Sequence, residues 1–95
     1  MDHLFIVSYD ISDQRRWRRV YRILKGYGRW VQLSVFQCRM SRKRAILLES
    51  LLSEIVNHRE DHVLMMDLGP ADNVEPKIGS IGKAFIPIEL APIIV

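Results

Sequence analysis

Leu4-Phe5-Ile6-Val7-Ser8-Tyr9 is an unbroken apolar and β-branched run that stops at Asp10 and is followed by Ile11-Ser12-Asp13. Such a run predicts a strand buried on both faces. Ser12 or Asp13 can cap a helix directly after it, and Asp13 there suits the positive end of the helix dipole. Trp17, Val20, Tyr21 and Leu24 then fall at i, i+3, i+4 and i+7, one apolar stripe of an amphipathic helix. Arg15, Arg16, Arg18, Arg19, Arg22 and Lys25 occupy the rest of its surface. Gly26 and Gly28 are expected to supply the left-handed residue that ends this helix.

Further out, Trp30 to Arg39 reads as strand, with Val31, Leu33 and Val35 alternating against Gln32, Ser34 and Phe36. Ten residues is long for one strand, so a kink or tight turn near Leu33 or Ser34 is expected to divide it. Ser41 caps a second helix, to which Leu47, Leu48, Leu51, Leu52, Ile55 and Val56 give a broad apolar face. His62 to Leu68 returns as strand, and Gly69-Pro70-Ala71-Asp72-Asn73 is a turn cluster. Residues 1–68 are thus the core, 69–83 a loop, and 84–95 an extended strand or arm that Pro87 and Pro92 confine to an edge or to another chain. The order β-α-β-β-α-β predicts one α+β domain over residues 1–95, a ferredoxin-like sandwich with both helices on one face of an antiparallel sheet.

Ninety-five residues leave no room for a second domain, and a chain this short buries only about 60–65% of its unfolded surface, so a partner subunit is expected. At 48% hydrophobic residues the chain is not disordered. No apolar stretch approaches the roughly 20 residues that span a bilayer, and Met1-Asp2-His3 does not read as a signal peptide. Cys38 is the single cysteine, which excludes an internal disulfide and suits a cytoplasmic protein.

The net charge of +3 conceals a division. Residues 1–44 carry eleven Lys/Arg against three Asp, a balance of +8, whereas residues 45–95 stand at −5. Nine of the first eleven cations are arginine, whose planar fork matches phosphate oxygens. A basic half points to nucleic acid; the plain alternative is a solvated helix face balanced by the acidic half or by a partner.

Four groups of residues could carry chemistry. Asp10, at the end of a buried strand, could hold Mg²⁺, which often takes only one or two protein carboxylates, or it could cap the helix or pair with an arginine. One carboxylate per chain is too few for a two-metal nuclease, but a twofold dimer would bring two copies together. Arg42, Lys43 and Arg44 stand in a helix's first turn, against its dipole, and read either as a phosphate site or as solvated side chains. His58 and His62 straddle the expected helix end and read as surface residues. Lys25-Gly26-Tyr27-Gly28 copies the start of an RNA-recognition motif, but Arg29 stands where that motif needs an aromatic.

Tyr9-Asp10-Ile11-Ser12-Asp13, the arginines after it, Leu24-Lys25-Gly26-Tyr27-Gly28 and Val31-Gln32-Leu33-Ser34-Val35-Phe36 together resemble the CRISPR-associated Cas-two family, the small subunit of the spacer-acquisition machinery. The resemblance spans about residues 4–68. It implies a homodimer whose C-terminal strand packs on the other protomer's sheet. It implies a Mg²⁺-dependent endonuclease site, acting on single-stranded RNA or duplex DNA, with Asp10 as metal ligand and Tyr9 as a catalytic neighbour. It matches the first-helix arginines and Phe36 to positions linked to activity or nucleic-acid contact, and it implies the CRISPR integrase subunit (Cas-one) as partner. A non-catalytic DNA-binding scaffold is the other role within the family. Outside it stands an RNA-recognition-type module with Tyr9, Phe36 or Trp30 as stacking platforms. Trp17 and Trp30 are bulkier than the family pattern leads one to expect.

Overall fold

The computed structural model describes residues 1–84. Its elements are β1 (Asp2–Asp10), α1 (Gln14–Lys25), β2 (Arg29–Gln32), β3 (Val35–Ser41), α2 (Arg42–Ile55) and β4 (His62–Pro70), then a single 3-10 turn at Ala71–Asn73. The sheet runs β2-β3-β1-β4 with every neighbouring pair antiparallel. This is the split β-α-β arrangement of a ferredoxin-like α+β sandwich. The strand or arm expected over residues 84–95 lies, beyond Ala84, outside the described residues.

β1 is the central constraint, because it pairs with β3 on one side and β4 on the other. Its alternation sends Phe5, Val7 and Tyr9 to the helices, where they join Val20 and Leu24 of α1, Phe36, Cys38 and Met40 of β3, and Ala45, Leu48, Leu52 and Ile55 of α2. Ile6, Ser8 and Asp10 take the opposite face with Leu64 and Met66, their register neighbours Ser8↔Leu64 and Ile6↔Met66. β1 is therefore buried from Phe5 to Tyr9 on its helix face, whereas on the opposite face only Leu4 is fully buried. Leu64, Met66 and Leu68 leave an apolar strip on the helix-free face, each more than 40% exposed.

The long second run divides as expected. Leu33 and Ser34 form a two-residue connection between β2 and β3, with Gln32 opposite Val35. The turn reverses the parity read from sequence: Phe36, Cys38 and Met40 face the core, while Val35 and Gln37 face out with Ser8 and Ile6. In α2 the broad apolar face also splits, with Leu48, Leu52 and Ile55 buried but Leu47 and Leu51 exposed. β4 runs two residues further than expected, through a bulge at Gly69 (φ 100°), whose N–H donates to Asp67 Oδ1 at 2.8 Å.

Helix α1 does not end in a left-handed glycine. Gly26 is right-handed (φ −79°), and the last turn closes with Gly26 and Tyr27 N–H groups donating to the Ile23 and Leu24 carbonyls. Gly28 serves another purpose. A Cβ there would overlap the Gln37 carbonyl oxygen and lie 2.5 Å from Cys38 Sγ, so only glycine lets the chain leaving α1 pass this close to β3. Burial of that thiol pushes its pKa up to about 11.

Gly28→Ala is expected to destabilise the domain by about 3 kcal/mol, because the obstruction is largely backbone and cannot move aside. Urea unfolding followed by circular dichroism measures this; a midpoint equal to wild type would show that β3 yields readily.

Candidate nucleic-acid and metal site

Asp13, not Ser12, caps α1, its carboxylate accepting from the Arg16 N–H at 3.0 Å. The cap leaves Ser12 free to face the loop between α2 and β4. That loop is an Asn57 turn, with Asn57 Oδ1 accepting from the Arg59 N–H and the Asn57 carbonyl from Glu60 and Asp61. It aims the Asp61 side chain, which has no exposed surface, back at the β1–α1 junction. Asp61 Oδ2 accepts from Arg16 Nε at 2.7 Å and from the Asn57 N–H at 2.8 Å, and Oδ1 accepts from the Ser12 N–H at 3.2 Å. Arg16 Nη2 adds Glu60 Oε2 at 3.1 Å. The Arg16 hydrogen bond is the main cause that holds the Asp61 carboxyl down at about 2, the two backbone N–H groups adding to it. Nothing in the sequence marks Asp61, since its partner lies 45 positions away.

Arg16 is thereby withdrawn from the expected phosphate set. The others divide cleanly. Arg15, Arg18, Arg19 and Arg22 follow i, i+3, i+4, i+7 spacing, are exposed, and make no ion pair among the described residues. They form one stripe about 10 Å long on the outer face of α1. Arg42, Lys43 and Arg44 sit at the opposite end of the sheet, since α2 starts where Ser41 pairs with Asp2. Arg44 there is structural: its Nη2 donates to the Gly26 carbonyl at 3.3 Å, and its guanidinium lies 4.5 Å from the Tyr27 ring centroid.

Asp10 ends β1 on the helix-free face, exposed, opposite His62 in register. Neither plain role falls to it: the cap is Asp13, the arginine's partner is Asp61, and its carboxylate accepts no hydrogen bond among the described residues. His62, read from the sequence as a surface residue, is its cross-strand neighbour. His58 bonds the Ser53 carbonyl through Nε2 at 2.9 Å, beyond the end of α2, and lines the same groove as His62. The described residues hold no cluster of three or more His, Cys, Asp or Glu able to bind a metal by themselves. The groove between α2 and β4, lined in part by Glu49, Leu52, Val56 and His62, does not include Asp10.

Tyr9, expected as a catalytic neighbour of Asp10, and Phe36, expected to contact nucleic acid, are both core residues of this domain. Phe36 has no exposed surface and Tyr9 is buried, its ring against Trp17 and Phe36. Burial raises the Tyr9 phenol to about 12, with Tyr21 adding to this and Ser34 offsetting only part. The hydroxyl has no partner of good hydrogen-bond geometry among the described residues, and Ser34 Oγ accepts from Trp17 Nε1 at 2.9 Å. A phenol so placed stays protonated near neutral pH and is no base. The stacking-platform reading also fails, because the aromatic cluster packs under the helices rather than on the open face.

Three comparisons bear on this arrangement. The family described as CRISPR associated protein Cas2 matches residues 3–75. A Geobacter sulfurreducens protein called CRISPR-associated endoribonuclease Cas2 is 61% identical over all of both chains, and a Rhodospirillum rubrum protein called CRISPR-associated endoribonuclease Cas2 1 is 49% identical over 99% of this chain and 92% of that one. The crystal structure of a hypothetical protein from Thermus thermophilus superposes with a TM-score of 0.75 at 26% identity, covering 92% of this chain and 99% of that one.

Because Asp61 has a lower pKa folded than the ordinary 3.8, its contribution is fully present above about pH 4 and is lost as pH falls through about 2. Asp61→Asn is expected to lower Tm by about 5–10 °C at pH 7, with wild type and variant converging toward pH 2. Thermal melts at pH 7, 4 and 2 check it; a gap independent of pH would rule out the ion pair as its source.

Proposed function

The chain belongs to the CRISPR-associated Cas2 family, and from that premise we propose that it is a small nucleic-acid-binding subunit with a Mg²⁺-dependent endonuclease site at Asp10, acting with the CRISPR integrase in spacer acquisition. RNA strands are the first substrate class to test, given the names of the two relatives. The observation that carries the reading is the pairing of an exposed carboxylate with four arginines, all without an ion-pair partner among the described residues, on the helix that starts four residues after it.

One carboxylate per chain fits Mg²⁺ as part of a shell completed by water, or by the second Asp10 of a twofold dimer. The exposed strip of Leu64, Met66 and Leu68 beside Asp10 on the helix-free face is the kind of surface that a second copy would cover. Bound there, the metal supplies charge neutralisation at the scissile phosphate and eases ionisation of water. The protein's own part is to hold Asp10 at the end of a rigid central strand and to place phosphates along Arg15, Arg18, Arg19 and Arg22. Arg16 and Asp61 position these groups by locking the β1–α1 junction. Tyr9 contributes packing beneath Asp10.

A second reading, a DNA-binding scaffold of the integrase without catalysis, is favoured by the absence of any multi-ligand metal cluster among the described residues. Asp10→Asn separates the two. It is expected to lower Mg²⁺-dependent cleavage of labelled single-stranded RNA by about 10²-fold or more and to leave duplex binding and Tm unchanged. EDTA should have the same effect on wild type. Absence of cutting by wild type, with tight duplex binding, would establish the scaffold.

Replacing Arg15, Arg18, Arg19 and Arg22 one at a time by Ala is expected to flatten the dependence of log K on log salt by about 0.9 per lost phosphate contact to duplex DNA. Arg16→Ala should instead lower Tm and leave the slope alone. Equal slopes for all five variants would remove the arginine stripe from the binding surface.

A further inference from the structure

Leu33 is the one non-glycine residue with positive φ (37°) among those described. It occupies the first position of the two-residue β2–β3 turn, where glycine or asparagine is the ordinary choice and a branched apolar side chain is strained. It is also 74% exposed. A lone exposed leucine needs no explanation, but one held at a backbone cost does.

The turn is not left to relax. Trp30 Nε1 donates to the Leu33 carbonyl at 2.9 Å, Trp17 Nε1 to Ser34 Oγ at 2.9 Å, and the Tyr9 N–H to the Ser34 carbonyl at 3.0 Å. Three elements thus fix a conformation that stability alone would give to a different residue. Here the two unusually large tryptophans acquire a purpose, because each uses its indole N–H on this turn. The position is equally specific. The turn stands at the end of the sheet where β1 finishes in Asp10, and Trp17 joins it to the first turns of α1, which carry Arg15, Arg18 and Arg19.

We propose that Leu33 is a nucleobase contact: its side chain lies against a base of the bound nucleic acid while the α1 arginines hold neighbouring phosphates. Aliphatic side chains serve this way where they wedge against or between bases. The inference rests on the nucleic-acid-binding reading above and deepens it, adding an apolar contact to a surface otherwise read as phosphate-binding.

The test compares full-length wild type, Leu33→Gly and Leu33→Met, using single-stranded RNA with 2-aminopurine at successive positions. Wild type is expected to change the fluorescence at a defined position. Leu33→Gly should keep or raise Tm, since strain is relieved, yet bind about tenfold more weakly and lose that change. Leu33→Met should restore both. Wild-type affinity and fluorescence in Leu33→Gly would overturn this inference alone. A lowered Tm in that variant would remove the strain argument and overturn it too. An altered oligomeric state on size exclusion, with RNA binding intact, would assign Leu33 to a protein contact instead. Failure of wild type to bind any nucleic acid would overturn the functional reading with it.

Discussion

A buried carboxylate governs the geometry at one end of this domain. Asp61 receives hydrogen bonds from the β1–α1 junction through Ser12, from α1 through Arg16, and from its own loop through Asn57. A charge without exposed surface is costly unless its partners are complete, and here each partner belongs to a different segment. None of these segments can therefore shift alone. Asp10 precedes that junction by two residues and the arginine stripe begins three after it, so the relative placement of carboxylate and cations depends on a group that is neither.

The secondary structure was open to reading from periodicity. Leu4–Tyr9, the Trp17-Val20-Tyr21-Leu24 stripe and the Ser41 cap each point to one element, and a kink or tight turn near Leu33 or Ser34 follows from the length of the second run. The facing of residues after that turn was not open to the same reading. A short turn can invert which side chains meet the core, and only pairing against β1 decides it. Phe36 thereby passes from an expected surface contact to a fully buried one. Gly28 similarly reads as a helix stop in sequence, whereas its reason is the proximity of β3.

The candidate site divides along the same line. Asp10 and the outer arginines were visible as residue types in a pattern. Which arginine would be taken by an acid, and which acid would take it, depends on a contact across 45 positions that no local pattern encodes. The acidic half of the chain meets the basic half at Arg16, and the remaining stripe makes no ion pair among the described residues. Arg44 is likewise engaged with the end of α1 rather than with solvent. Counting charges alone does not reveal that Arg16 and Arg44 are engaged within the fold.

The contact between Gly28 and Cys38 also reaches beyond packing. The only sulfhydryl of the chain is sealed under glycine, buried, and shifted so far toward its protonated form that almost none is nucleophilic at neutral pH. Peroxide or an electrophile meets it only when β3 comes away from the chain leaving α1. The thiol of the folded domain is thus shielded, and the rate at which an alkylating reagent consumes it counts the openings of the sheet's interior.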